Sequence, residues 1–180
     1  MNKSAAYFRG FSLLEVLVAL VIISIGVLGI AAMQASALSN THSSQLESTV
    51  AIQARSLADS MVANPSYWDA GKFPPTFTVA APAAGSTSPT ITNFPAMSDD
   101  CSQNDSCDET AMAAYDVYQW GKSLNPGVTA TVVCKVGAPS ICSIQMNWTQ
   151  KAPIAINVGS QPAAPATSGV PMVYTLVNQI

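Results

Sequence analysis

The sequence predicts an α+β protein: one long N-terminal helix, its first half transmembrane and its second half amphipathic, packed on a small antiparallel β-sheet. Three observations predict it. Between Phe11 and Met33 only Ser12, Glu15 and Ser24 interrupt the apolar residues and glycines, which leaves about 23 residues where roughly 20 cross a bilayer as a helix. Leu46, Val50, Ala54, Leu57 and Met61 then recur at spacings of four, four, three and four, an apolar stripe along one helix face. After Asn125-Pro126-Gly127, three segments alternate or stay apolar in the manner of strands.

The ten residues before Phe11 carry Lys3 and Arg9 and no acid, so the positive-inside bias keeps this end in the cytoplasm and sends the rest across. Ala31, Ala32 and Ala35 would suit a secretory cleavage site, but helical periodicity runs on past them, and the span is expected to stay attached. Glu15 stands four residues into the apolar run, where a carboxylate costs about 2.5–3.5 kcal/mol on insertion scales. That cost sets this helix apart from a plain membrane anchor.

The stretch Gly10-Phe11-Ser12-Leu13-Leu14-Glu15-Val16-Leu17-Val18-Ala19-Leu20 resembles the N-terminal signature of type IV pilins and of the related pseudopilins of type II secretion. The resemblance implies a pilin-like fold and processing by a prepilin peptidase. The cut would fall between Gly10 and Phe11, Phe11 would be N-methylated, and Glu15 would set the assembly register in the fibre. It implies four regions: a leader over 1–10, a transmembrane and fibre-core helix over 11–33, its amphipathic continuation over 34–63, and a globular domain outside the cytoplasm over 64–180.

The chain has 180 residues and a formal net charge of −3, with only 9% of residues charged. Removing a leader and a span leaves about 145 residues, enough for one small domain with its own core. A chain so poor in cations does not track a phosphate backbone, so no nucleic-acid partner is expected.

From Gln34 to Val62 there is neither Gly nor Pro, and the helix is expected to run from Phe11 to about Ala63, near 80 Å at 1.5 Å per residue. Asn64-Pro65 should end it. Gly26 and Gly29 weaken the span by up to about 1 kcal/mol each or serve as close-packing points for a neighbouring helix. His42, the one histidine, reads as a solvated or packed helix residue, since no base or ligand partner accompanies it.

Residues 64–98, rich in Pro, Gly, Ala, Ser and Thr, read as a long loop. One short strand is expected at Thr76-Val79, with too many prolines around it for a central sheet position. Tyr67, Trp68, Phe73, Phe77 and Phe94 are expected to pin the loop to the domain surface.

Four cysteines follow, and three pairings are open to them. Short loops favour Cys101 with Cys107 and Cys134 with Cys142, the second pair across a hairpin, in an oxidising compartment. Their C-x5-C and C-x7-C spacings are not those of zinc knuckles. Asp99, Asp100, Asn104, Asp105, Asp108 and Glu109 form an acidic loop; calcium is one reading of it, without EF-hand spacing, and a solvated loop with Asp108 capping a helix is the other. That helix is read over Glu109 to Leu124, with Met112, Tyr115, Val117, Tyr118 and Trp120 on or near one face. Strands are read at Val128–Val136, Ser143–Trp148 and Met172–Val177, with an extra short strand at Ile154–Val158.

Leu57-Ala58-Asp59-Ser60-Met61-Val62-Ala63-Asn64-Pro65, the Ala113-Ala114-Tyr115-Asp116 segment with Trp120, and the Trp148 strand are similar to minor pilins of the PilV type. This implies a non-enzymatic structural subunit that helps initiate or modify a type IV pilus. Its partners would be the prepilin peptidase, other minor and major pilins, and the inner membrane before assembly at the cell surface. No cofactor or metal is expected. A minor pseudopilin of type II secretion and a pilus-tip adhesin acting through residues 64–98 are the alternatives. A membrane-tethered thiol enzyme would lack the C-x-x-C motif of that chemistry.

Overall fold

The computed structural model describes residues 12–98, 100–103, 107–150 and 169–180. Internal contacts divide the chain into two compact units at His42/Ser43. Helix α1, Leu13–Ala63, is 51 residues long; its residues from Ser43 onward belong to the second unit. The first residue of the helix that packs against the core is Leu46, where the apolar stripe of the sequence begins.

Within the second unit, Val50, Ala54, Leu57 and Met61 are each 0% exposed and Leu46 packs at their margin. The helical stripe in the sequence is the face that meets the core. Helix α1 stops at Ala63 before Pro65, and the chain turns at once into a single-turn helix, α2, Pro65–Trp68. Proline is favourable at this first helical position, where its missing N–H has no intrahelical acceptor. The amides of Tyr67 and Trp68 bond to the Asn64 carbonyl at 3.2 Å, which turns both rings inward.

Five antiparallel strands form one sheet in the order β2-β1-β3-β4-β5: β1 Thr76–Ala80, β2 Thr90–Thr92, β3 Thr129–Lys135, β4 Ile141–Gln150 and β5 Val170–Gln179. Two expectations for residues 64–98 are overturned here. The strand at Thr76 is internal, paired with β2 on one side and β3 on the other. The prolines flank it instead of interrupting it, so no ladder donor is missing, and the Pro75 carbonyl even accepts from Cys134 N at 2.9 Å. The aromatic residues are core and not surface pins: Tyr67, Trp68, Phe73 and Phe77 are buried. Trp68 stacks on Phe73 and Phe94 at 5.9 and 5.8 Å, and Phe77 meets Phe94 at 4.5 Å. Rings of this size are the largest apolar contributors available to a small core.

Helix α3, Glu109–Lys122, starts where Asp108 Oδ1 accepts from Ala111 N at 2.7 Å. Its buried face is Ala113, Ala114, Val117, Trp120 and Gly121, whereas Met112, Tyr115 and Tyr118 are half-exposed. Val117 and Trp120 of the expected face are therefore in the core, while the small residues Ala113, Ala114 and Gly121 complete it in place of Met112, Tyr115 and Tyr118. A Cβ on Gly121 would come within 2.8 Å of Val79 and Pro89 side-chain atoms. Trp120 Nε1 donates to the Gln53 carbonyl at 2.8 Å and Gln53 Nε2 donates to the Ser123 carbonyl at 2.6 Å, tying α3 to the packed part of α1. Residues 151–168, with the strand expected at Ile154–Val158, lie outside the described residues.

Candidate assembly site

The first unit offers one face of chemistry, the N-terminal part of α1. Ser12 opens it: its Oγ accepts from Leu14 N at 3.3 Å and its carbonyl accepts from Glu15 N at 3.0 Å, satisfying donors that a helix start leaves unpaired. Glu15 therefore sits in the first turn, where the helix dipole favours negative charge. Further along, Ser24 Oγ donates to the Leu20 carbonyl at 2.7 Å, so that hydroxyl is satisfied without a neighbour.

The apolar side chains here have no cover among the described residues. Leu17 is 61% exposed, Ile22 65% and Leu28 71%. A Cβ placed on Gly26 or Gly29 would meet nothing within 4 Å, so both glycines are open to a close neighbour. Among the described residues, α1 is the one helix long and apolar enough to cross a membrane. A surface of this extent demands lipid or other helices, since soluble monomers rarely expose contiguous apolar patches beyond a few hundred Å².

Residues 6–31 match the family model of the prokaryotic N-terminal methylation motif. The match covers Gly10, Phe11 and Glu15 and supports a prepilin-type protein, with membrane anchoring and association with other pilins. No curated protein and no solved structure matches the chain. Gly10 and Phe11 lie outside the described residues, so of the three motif residues Glu15 alone has a described place.

The other candidates distribute as follows. Cys101 and Cys107 stand with Sγ atoms 2.05 Å apart, and Cys134 and Cys142 at 2.04 Å; the latter are register partners on β3 and β4. His42 is exposed. In the acidic loop, Asp100 accepts from the amide and hydroxyl of Ser102, bonds that hold its carboxyl below the usual range. Asp108 caps α3, and Glu109 is hydrogen-bonded by Lys72, which lowers its pKa too. Asp99, Asn104 and Asp105 lie outside the described residues; among the described ones no group of three His, Cys, Asp or Glu converges as a metal site. An open hollow of about 710 Å³ runs beside Ala80, Ala83, Leu124 and Pro126 with Lys122 as its one ionisable lining residue, which supplies no acid–base pair for catalysis.

Sequence reasoning did not identify Ser12 as the cap of α1. The signal was present, a serine three residues before Glu15, the spacing of a capping box.

Proposed function

We propose that this chain is a minor type IV pilin, a structural subunit that helps initiate or modify pilus assembly. Its leader, residues 1–10, is cut between Gly10 and Phe11, Phe11 becomes the N-methylated first residue, and the helix from Phe11 to about Met33 holds the subunit in the inner membrane until it enters the fibre. The observation that carries the reading is the coincidence of the methylation motif over 6–31 with a helix whose apolar side chains find no cover among the described residues. A self-contained domain from Ser43 onward fits a subunit that folds outside the cytoplasm before it is drawn into an assembly.

Glu15 supplies the register. A cationic N-methylated amine on an incoming subunit and the Glu15 carboxylate of its neighbour would pair in a low-dielectric core, where one unpaired charge costs several kcal/mol. The minor role is favoured by the similarity of the Leu57–Pro65 and Ala113–Trp120 segments to minor pilins.

Mass spectrometry of the membrane-extracted protein tests the reading. A mature chain beginning at N-methylated Phe11, and a leader retained in Gly10→Val, are the expected results. Normal trimming of Gly10→Val, or a chain that begins beyond the span, would contradict it. Detection in sheared fibres at a small fraction of the main subunit would support the minor role.

A further inference from the structure

Between its apolar first part and its packed part, helix α1 passes through Ser39-Asn40-Thr41-His42-Ser43-Ser44. All six are poorer helix formers, and Ser, Asn and Thr side chains compete with a helix by bonding nearby backbone groups in other conformations. Ala35, Ala37 and Leu38 before them, and Gln45, Leu46 and Glu47 after them, are of the better kind.

Packing adds little support here and charge none. Asn40, Thr41, His42 and Ser44 are exposed, and Leu46 is the first residue packed against the core. From residue 16 to residue 46 the chain has no Asp, Glu, Lys or Arg, so no ion pair between successive turns strengthens the helix. Thr41 Oγ1 donates to the Ala37 carbonyl at 2.9 Å, and the hydroxyls of Ser48 and Thr49 donate to the Ser44 and Gln45 carbonyls at 2.9 and 2.8 Å, a back-bonding that slightly destabilises helices and often bends them. The boundary between the two compact units falls at His42/Ser43, inside the stretch.

We propose that residues 39–44 are a built-in release point, where α1 opens from helix to coil while the helix on either side stays folded. An isolated short helix is unstable chiefly because its nucleus is costly, but a gap between two helices held by their own surroundings needs no new nucleus in order to close again. On one side the backbone of the apolar part finds no water to bond in a membrane or micelle and must stay helical. On the other, residues from Leu46 onward are fixed by the core. Opening takes the stretch from 1.5 Å to about 3.3 Å per residue, a gain of about 11 Å, so the folded domain can be displaced from the span without losing a core contact. The inference does not depend on which assembly the span enters.

Amide hydrogen exchange of the full-length chain in detergent micelles tests it. Protection over residues 41–45 is expected to be at least about tenfold lower than over residues 50–61, because local opening is cheapest where contacts are fewest. Exposure alone would give that much, so the composition is tested separately. A variant carrying Ser39→Ala, Asn40→Ala, Thr41→Ala, Ser43→Ala and Ser44→Ala should raise protection over 41–45 at least about tenfold and leave 50–61 unchanged. Thr41→Pro, a break that an ordinary helix interior does not tolerate, should leave the urea midpoint of the domain at the wild-type value, whereas Ala54→Pro in the packed part should unfold it. Equal protection over the two stretches, no gain in the alanine variant, or a domain destabilised by Thr41→Pro would each overturn the proposal. N-terminal processing is read by mass and has no bearing on these outcomes.

Discussion

Helix α1 contains two apolar surfaces of opposite fate. In its packed part Val50, Leu57 and Met61 are 0% exposed, whereas Leu17, Ile22 and Leu28 are all more than 60% exposed. Both amino-acid type and arrangement make the difference: the chain over 13–33 is almost wholly apolar, whereas the packed part mixes its apolar residues with Ser, Gln, Arg and Asp. From Leu46 onward apolar residues keep to a stripe with Gln, Ser, Arg and Asp between them, so one face can bury and the rest can be wet. Before Met33 the helix is apolar all round, which a soluble environment cannot satisfy. The first part needs partners from outside the chain, and the second brings its own.

Truncating matched leucines should show this contrast at its largest. Leu57→Ala should lower the domain's unfolding free energy by about 2–5 kcal/mol through lost burial and a residual cavity. Leu17→Ala should leave it unchanged, in urea denaturation of the full-length protein in detergent. Equal losses would show that the two parts of α1 do not differ as described.

A smaller loss is expected from Cys134→Ala/Cys142→Ala, about 2–2.5 kcal/mol for a short closed loop, again confined to the domain. Peptide mapping without reductant should link Cys101 to Cys107 and Cys134 to Cys142. A peptide joining one pair to the other would refute the pairing.

The smallest effect sharpens the packed side alone. Burial pushes the Tyr67 phenol up to about 12, and its hydroxyl has no hydrogen-bond partner among the described residues. Between about pH 10 and 12 the unfolded chain has lost this proton and the folded one keeps it, so stability falls by up to about 1.4 kcal/mol per pH unit as pH rises. Tyr67→Phe should flatten that alkaline decline and gain about 1 kcal/mol at neutral pH by removing an unpaired polar group. A stability–pH curve for the variant that superimposes on the wild type would contradict it.

Much of this arrangement was legible from residue spacing. The Leu46–Met61 stripe, the Asp108 cap, the stop at Asn64-Pro65 and the strands about Thr131, Ile144 and Thr175 all follow periodicities that local physics enforces. In residues 64–98 proline density is a poor guide to whether a strand is central. A proline forbids only the N–H it lacks, and Pro74, Pro75 and Pro82 all stand outside β1. Hence the core position of Trp68 and the existence of β2 were hidden, both depending on chain reversals with no period of their own. One practical consequence is that deleting this segment would remove the aromatic core, so it cannot separate an adhesive role from a structural one. The position of β5 at the end of the sheet among the described residues was equally invisible, because which strand ends a sheet is a property of topology.

The central claim is that the uncovered part of α1 is completed by other subunits, with Glu15 fixing their register. Glu15→Val preserves the span and removes a charge whose insertion costs about 2.5–3.5 kcal/mol. Cells expressing this variant or the wild type should be fractionated into membranes and sheared fibres. The account predicts that the variant is processed and retained in the membrane but at least tenfold depleted from fibres. Incorporation at the wild-type level would contradict it.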